Sequence, residues 1–454
     1  MSDLLSIGAS GVRAYQTALS TVSDNIANVG TEGYVRRTAT TREVSATGIG
    51  LAAKPVTPGN GVVVSGIARA ADMFRAADVR AASTDLSRTA TSVTWMGRID
   101  GALTGNQLGT RITSFFNAAT AVAADPTASA PRSAMLEAGT TVANAFSATG
   151  KALDQLTVEL DATAEDATAQ VDALSQKLAR INDGLARAAS GSSAAASLLD
   201  QRDKALEDMS ALVDVSASFD ALGRSTVKIG GANGAVMVAG LEAGHLTYVR
   251  EADGTTSFAV HKAGEVTSIK PAGGVLAGVG EAATRLHDAR RDLNGVADGF
   301  MTGVNAVQTQ GADVSGAAGQ PFFELVPGGT ATDFRLKLTD PNGIAAAGMG
   351  KGPRDNSNLL DMDTGLAGVR ASGAFETRVT DLVAANAAAL AGRQSVAEAQ
   401  SAIRDAAVAA RDGQSGVNLD NEAVDLMRFQ QAYSASSRVI QVARETFQTI
   451  IGIN

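Results

Sequence analysis

Few side chains in this 454-residue chain have types and spacings suited to acid–base or metal chemistry. His245, His261 and His287 show no ligand spacing and no acidic cluster at metal-site intervals, so they read as surface or hairpin residues. Asp361-Met-Asp363-Thr-Gly365 resembles the start of a calcium loop. The twelfth position, where such a loop needs a bidentate acid, is Ser372, so the stretch reads as a polar loop. Gly230-Gly231-Ala-Asn-Gly234 lacks the lysine and the following helix of a phosphate cradle and reads as a hairpin turn. No Gly-x-Ser-x-Gly or His-Glu-x-x-His occurs. There is no cysteine, which excludes disulfides, thiolate metal sites and thiolate catalysis. No catalytic, cofactor-binding or metal-binding residue is assigned, no cofactor is expected, and nothing calls for an enzyme.

The chemistry that the spacing does support is association through apolar surface. Leu419, Leu426, Tyr433, Ile440 and Phe447 recur every seven residues, with Phe429, Ala443 and Ile450 three positions further on and Glu422 and Ser436 as gaps. That is a heptad stripe along one side of a helix. Asp420 is the expected N-cap, and Glu422 places negative charge in the first turn. At the other end Leu5, Val12, Leu19 and Ile26 are also seven apart, flanked by Tyr15, Val22 and Val29. A helix with one narrow seam is unstable alone, because nucleation is costly and packing supplies most helical stability. The two ends therefore suggest a terminal coiled coil, parallel or antiparallel. On the pattern alone, an ordinary helix pair closing a globular monomer is slightly favoured.

Stepping inward, Asn28, Gly30 and Gly33 mark a helix end and a turn. Residues 34–67, with Val62 to Val64, Pro55 and Pro58, read as extended chain with a short hairpin. Helices are expected over 68–103, then to Ala124, then from Pro131 to about Ala189, and over 198–213. Glycine then becomes frequent. Val227 and Ile229 before Asn233-Gly234, and Tyr248-Val249 before Asp253-Gly254, predict hairpins within a β-rich insertion, 214–275. Helix returns with Leu286, Leu293, Phe300 and Val307, and an irregular stretch with one strand at 334–338 follows. A long alanine-rich helix over 371–411, carrying Leu382, Val396 and Ile403, ends before Gly413 and Gly416. The fold class is mainly α with a β-rich insertion and nested, discontinuous domains. Residues 1–33 with 415–454 form an inner coiled coil, 34–213 with 276–414 a long-helix bundle with short β pieces, and 214–275 the outermost module.

Composition bounds the function. The chain is 45% hydrophobic but only 4% aromatic, with one tryptophan, which predicts cores of small aliphatic residues. A net charge of −9 with scattered Lys and Arg argues against nucleic acid or an anionic membrane as partner. The N-terminus has neither the cationic start nor the apolar run of a secretory signal, and no stretch approaches a membrane span.

The segment Ala18-Leu-Ser-Thr-Val-Ser-Asp-Asn-Ile-Ala-Asn28 with Gly33-Tyr34 resembles the N-terminal signature of bacterial flagellar rod, hook and hook-associated proteins. Ser415-Gly-Val-Asn-Leu-Asp, Phe429-Gln-Gln-Ala-Tyr433 and Val439-Ile440 resemble the hook-associated branch more closely. The matches cover about the first and last forty residues. The family turn usually reads Asn-Thr-Pro-Gly-Tyr, whereas here it is Gly30-Thr-Glu-Gly-Tyr34, so the glycine stays and the proline's rigidity is lost. The middle is short for the family. The resemblance implies a structural junction adaptor between hook and filament, outside the cell, exported by the flagellar type III apparatus without a cleaved signal. Implied partners are itself in a homopolymeric ring, the hook protein, a second hook–filament junction protein and a cytosolic export chaperone, with no nucleic acid and no membrane. Alternatives are a hook or rod protein of the same family, a secreted coiled-coil adhesin, or an enzyme. The expected assembly residues are Leu5, Val12, Leu19, Val22 and Ile26 at one end and Leu419, Leu426, Phe429, Tyr433, Ile440, Phe447 and Ile450 at the other. Asn25, Asn28, Gly33 and Tyr34 form the turn, with the two asparagines expected to satisfy backbone groups. Both termini are expected to be disordered in the free monomer.

Overall fold

The computed structural model describes residues 2–44, 61–231, 233–326, 328–363 and 368–451. Pro55, Pro58, Thr364, Gly365 and the side chain of Ile450, all used in the sequence reading, lie outside the described residues.

Helix α1 (Ser2–Ala27) leads through the Gly33 turn into strand β1 (Arg37–Glu43), which pairs antiparallel with β2 (Val62–Arg69), Arg37 opposite Arg69. A bulge lies between Thr40 and Thr41. The hairpin packs on α1, where the Val62 N–H donates to Ser10 Oγ at 3.1 Å.

The chain then builds a rod of long helices. The first is α2 (Met73–Thr104), capped by the Asp72 carboxylate, which accepts from the N–H groups of Phe74 and Arg75. Next come α3 (Leu108–Ala124), α4 (Ser129–Arg187) and α5 (Ser193–Leu212). At 59 residues α4 is about 90 Å long. It starts two residues before Pro131, which was expected to open it. A proline in the first turn breaks no intrahelical bond, so the start is free to move upstream.

Two sheets follow, in the strand orders β3-β4-β5-β6 and β7-β8-β9. Their strands are β3 (Val215–Phe219), β4 (Ser225–Ile229), β5 (Ala235–Ala239), β6 (Glu242–Ala243), β7 (His245–Arg250), β8 (Thr256–Lys262) and β9 (Glu265–Ile269). The β4–β5 turn contains Asn233-Gly234 and the β7–β8 turn Asp253-Gly254. The buried faces of Val227, Ile229, Met237, Leu246, Phe258 and Val260 share one core with Val171 and Leu178 of α4 and with Leu206 and Met209 of α5. Three polar side chains spaced along α4 hold the sheets. Asp161 accepts from Tyr248 Oη and Arg250 Nε, Asp172 accepts from the Leu246 N–H, and Asn182 bonds the Ser225 and Gly240 backbones.

Helix α6 (Gly274–Gln310) returns along the rod with Leu286, Leu293, Phe300 and Val307 all buried. Beyond it lie the two-residue strands β10 (Gly311–Ala312), β11 (Phe323–Glu324), β12 (Arg335–Leu336) and β13 (Ala347–Gly348). The strand expected over 334–338 shrinks to β12, because the preceding turn, Ala331–Asp333, drives Phe334 into the core. Arg132, 1% exposed, anchors this stretch to α4 by donating to the carbonyls of Pro126, Pro341 and Ile344.

The aliphatic core expected from composition is also corrected. Phe115, Phe116, Phe146, Phe300, Phe322, Phe323, Phe334 and Phe375 form one cluster with ring centroids 4.9–6.4 Å apart. The aromatics are few but concentrated, mostly in edge-on and tilted arrangements, with Phe116 and Phe375 stacked, and these add to burial.

The chain ends in α7 (Ser357–Asp363), α8 (Val369–Gly373), α9 (Phe375–Ser415) and α10 (Leu419–Ile451). Helix α9 runs along α2 and continues through Gly413 to Ser415, so only Gly416 breaks it. Leu382 packs on the core, but Val396 (44% exposed) and Ile403 (60%) face out.

Candidate assembly interface and the joint beneath it

Helices α1 and α10 lie antiparallel. Gly8 sits against Ile440, Gly11 against Ser436, Tyr15 meets Phe429 with ring centroids 6.4 Å apart, and Asn25 reaches Glu422. The closed face of α1 is made of Gly8, Gly11, Ala14, Ala18, Thr21, Val22 and Asn25. Small residues there let the two backbones approach. Leu5, Val12, Leu19 and Ile26, read as the seam, lie to one side of that face and stay half-buried. On α10 the facing stripe includes Leu426, Phe429, Ser436, Ile440 and Ala443. The expected gap at Ser436 is filled contact with Gly11. Leu419 (50% exposed), Tyr433 (36%) and Phe447 (50%) remain open to solvent, as do Val424, Met427 and Val442 elsewhere on the helix.

The joint beneath the pair is polar and closed. Asn25, fully buried, uses its whole capacity: Nδ2 donates to Arg37 O (2.8 Å) and Glu422 Oε2 (2.9 Å), while Oδ1 accepts from Arg37 N (3.0 Å) and Tyr34 Oη (2.9 Å). Glu422, also fully buried, accepts from Arg36 Nε at 2.6 Å, and Arg36 reaches Asp425 at 3.1 Å. The Arg36 N–H donates to Ser415 O, tying the outgoing strand to the returning helix. One layer out, Asp200 of α5 joins Arg37 (2.6 Å) and Arg69 (2.7 Å), and Arg69 also holds Asp203. Burial pushes the Asp200 carboxyl upward against the pull of these two arginines, and burial also raises the Tyr34 phenol. Asn28 donates to its own helix at Asp24 O and accepts from the Thr31 hydroxyl.

Gly33 has φ of 79°, the left-handed value a type II turn requires after its second residue, and that second residue is Glu32. The Glu32 carboxylate pairs with Lys204 of α5. This contact lowers the Glu32 pKa, and carboxylates around Lys204 raise the ammonium against the opposing effect of burial. The turn thus gains through an ion pair a fixing that the family proline would supply through its ring.

Two placements differ from the sequence reading. The N-cap of α10 is Asn418, whose side chain accepts from the N–H groups of Asp420 and Asn421, so Asp420 sits in the first turn. Glu422, read as an interruption of the seam, is its most deeply buried charge. A carboxylate at a seam position needs a cationic partner, and that requirement was the available pointer to Arg36. Elsewhere, His245 pairs with Asp172, His261 with Thr247, and His287 lies under Gly254. Among the described residues no group of His, Asp and Glu is arranged to hold a metal ion, and no helix is long and apolar enough to cross a membrane.

Comparison with known proteins matches three parts of this architecture. The family model for the flagellar hook-associated protein FlgK helical domain matches residues 96–323, half of the chain. Models for the flagella basal body rod protein and for the flagellar basal body rod FlgEFG protein C-terminal region match residues 5–34 and 413–453, the two ends that pair. Flagellar hook-associated protein 1 of Escherichia coli (strain K12) is 26% identical, with all of both chains covered. Its namesake in Salmonella typhimurium is 30% identical over 72% of this chain and 60% of its own length. A solved structure, the flagellar hook junction protein FlgK from Burkholderia pseudomallei, overlaps 54% of this chain and 46% of its own at a TM-score of 0.49 and 24% identity. With the helical-domain model spanning its rod and the axial-protein models its paired ends, the chain belongs to the FlgK family of flagellar hook-associated proteins.

Proposed function

We propose that this chain is the structural subunit that joins the distal end of the flagellar hook to the filament. It acts by polymerising through its terminal helix pair. Residues 1–33 with 415–454 make the inner, channel-lining layer, 34–213 with 276–414 the rod around it, and 214–275 the outer module. Its contacts are with copies of itself, with the hook protein below and with a second junction protein above. Before assembly a cytosolic chaperone covers the apolar face of α10, and the subunit leaves the cell unfolded through the flagellar export apparatus without a cleaved signal. The role is mechanical and needs no catalytic group.

The observation that carries this reading is the incomplete closure of the helix pair. One side of α10 packs on α1, while Leu419, Val424, Met427, Tyr433, Val442 and Phe447 along the rest of the helix are 36–60% exposed. Such surface marks an interaction site. The polar joint fixes the pair on the rod, so a load on one reaches the other. The rod-protein readings at the two ends are common to axial proteins, whereas the helical-domain match over 96–323 favours the junction role over hook or rod.

The test is attachment of purified subunits lacking the last thirty residues to isolated hooks. The truncated subunit is expected not to cap them. A deletion strain is expected to make hooks without filaments. Absence of hooks in that strain would instead assign the chain to the hook or rod.

A further inference from the structure

A pocket of about 220 Å³ opens at the joint, between the Gly33–Tyr34 turn, the start of α2, α5 and the Ser415–Gly416 break. Most charges in its wall are already matched. Arg202 pairs with Asp203, Lys204 with Glu32 and Asp208, Arg411 with Glu207 and Asp412, and Asp72 caps α2. Arg80 is the exception: its guanidinium has no hydrogen-bond or ion-pair partner among the described residues, though it lines the pocket. Burial pulls its pKa below the ordinary arginine value. Met73, seven residues earlier on the same face of α2, stands at the mouth 63% exposed, beside Phe74 at 75%. Arg80 thus lies in the field of Asp203 and Glu207 without a carboxylate bonded to it, and Met73 lacks an apolar cover.

The far end of the helix pair offers both. Glu445 has no side-chain partner among the described residues, and Val442, three residues earlier on the same outward face, is 60% exposed. Glu445 lies about 35 Å up α10 from the joint at Glu422, too far to reach its own pocket. Two complementary patches at opposite ends of one element make a head-to-tail contact, the kind that builds an open or ring-shaped array from one subunit type.

We propose that the pocket at the joint receives the last turns of α10 from a neighbouring copy of this chain, Glu445 pairing with Arg80 and Val442 packing on Met73. The inference rests on the polymerising role above and adds to it which surfaces meet. The chain has no native cysteine, so an engineered pair reports cleanly. A strain carrying only the Met73→Cys, Val442→Cys variant is expected to yield, after mild oxidation of its isolated hook–filament structures, disulfide-linked dimers and higher multimers. Either single variant, and the dilute monomer of the double variant, should give none. Filaments that form normally without any cross-link would overturn the pocket contact and leave the junction role standing. A complementary arm covers a double-cysteine variant that fails to assemble. Arg80→Glu and Glu445→Arg should each lower attachment to isolated hooks at least tenfold, and their combination should restore most of it. Singles that attach normally, or a combination no better than its singles, would overturn the contact.

Discussion

At the residue scale the joint is decided by groups that cannot be removed one at a time. Glu422→Ala leaves Arg36 and the Asn25 amide facing an empty, dry position. Breaking a buried pair from one side costs about 3–5 kcal/mol, and the partial exposure of Arg36 places this one near the lower figure. The expected readout is loss of helicity confined to the terminal pair, with the rod's melting unchanged, and a smaller loss for Glu422→Gln. Glu32 behaves differently, because its carboxylate is exposed. Glu32→Pro removes a surface ion pair worth about 0.2–1 kcal/mol. It also stiffens the second position of a type II turn, worth about 0.4–1 kcal/mol. The Glu32 N–H makes no backbone hydrogen bond that proline would lose. The two effects nearly cancel, so Glu32→Pro should leave thermal stability within experimental error, whereas Gly33→Ala should lower it, since its Cβ would sit 3.3 Å from that of Lys204 at φ 79°. The pH behaviour has a definite sign. The folded pKa of Glu32 lies below 4.5, so its tie is present above that value and fades as pH falls through the lowered one. The raised Lys204 pKa keeps the tie present at and below 10.5 and removes it only at higher pH. Amide protection at residues 29–36, taken relative to the intrinsic exchange rate at each pH, should therefore fall under acid before that of the rod does.

At the element scale, the helix pair shows what pattern reading captures and what it passes over. The α10 stripe was legible because Leu426, Phe429 and Ile440 are large and regularly spaced. The true face of α1 was not, because Gly8, Gly11, Ala14 and Ala18 carry little hydropathy, and the eye follows Leu5, Val12, Leu19 and Ile26 instead. The hairpins at Asn233-Gly234 and Asp253-Gly254 were legible from turn chemistry, while the phenylalanine cluster was hidden, since its members come from α3, α4, α6, α9 and the irregular segment. Small residues in the seam give a graded prediction. A Cβ at Gly8 would stand 2.7 Å from Ile440 Cγ1, beside the branch point of a side chain stiff at χ1, and 3.3 Å from the Ser436 carbonyl oxygen. Gly8→Ala gains up to about 1 kcal/mol of helix propensity, which offsets only part of the cost of moving α10 away by a few tenths of an ångström. Gly8→Leu must push the helices further apart, an overpacking cost of about 1–3 kcal/mol. The alanine variant should bind hooks less well than the parent and the leucine variant least, with both rods equally stable by calorimetry.

At the scale of the whole molecule, stability is unevenly distributed, and function follows from that imbalance. The rod buries the phenylalanine cluster and leucines from α2, α3, α4 and α6 in one continuous core, while the fully buried apolar residues of the terminal pair are Ala14, Ala18, Val22 and Ala443. A fully buried valine or leucine contributes about 1.5–3 kcal/mol, and alanine less. Ordering the backbone costs about 1–2 kcal/mol per residue, against the 26 residues of α1 and 33 of α10. Backbone hydrogen bonds and the polar joint narrow that gap, but the pair stays at the low end of the local stability range in the free subunit. Neighbours covering Tyr433, Val442 and Phe447 would supply the missing burial. Hydrogen exchange should therefore find residues 5–29 and 419–450 weakly protected in the monomer and strongly protected once subunits are joined to hooks, with α4 and α6 slow in both states. Calorimetry of the monomer should show a small early transition that disappears on deleting both ends, ahead of the main unfolding of the rod. Full protection of the pair in a dilute monomer would mean that α1 and α10 complete each other without help, and the link between incomplete closure and assembly would fail.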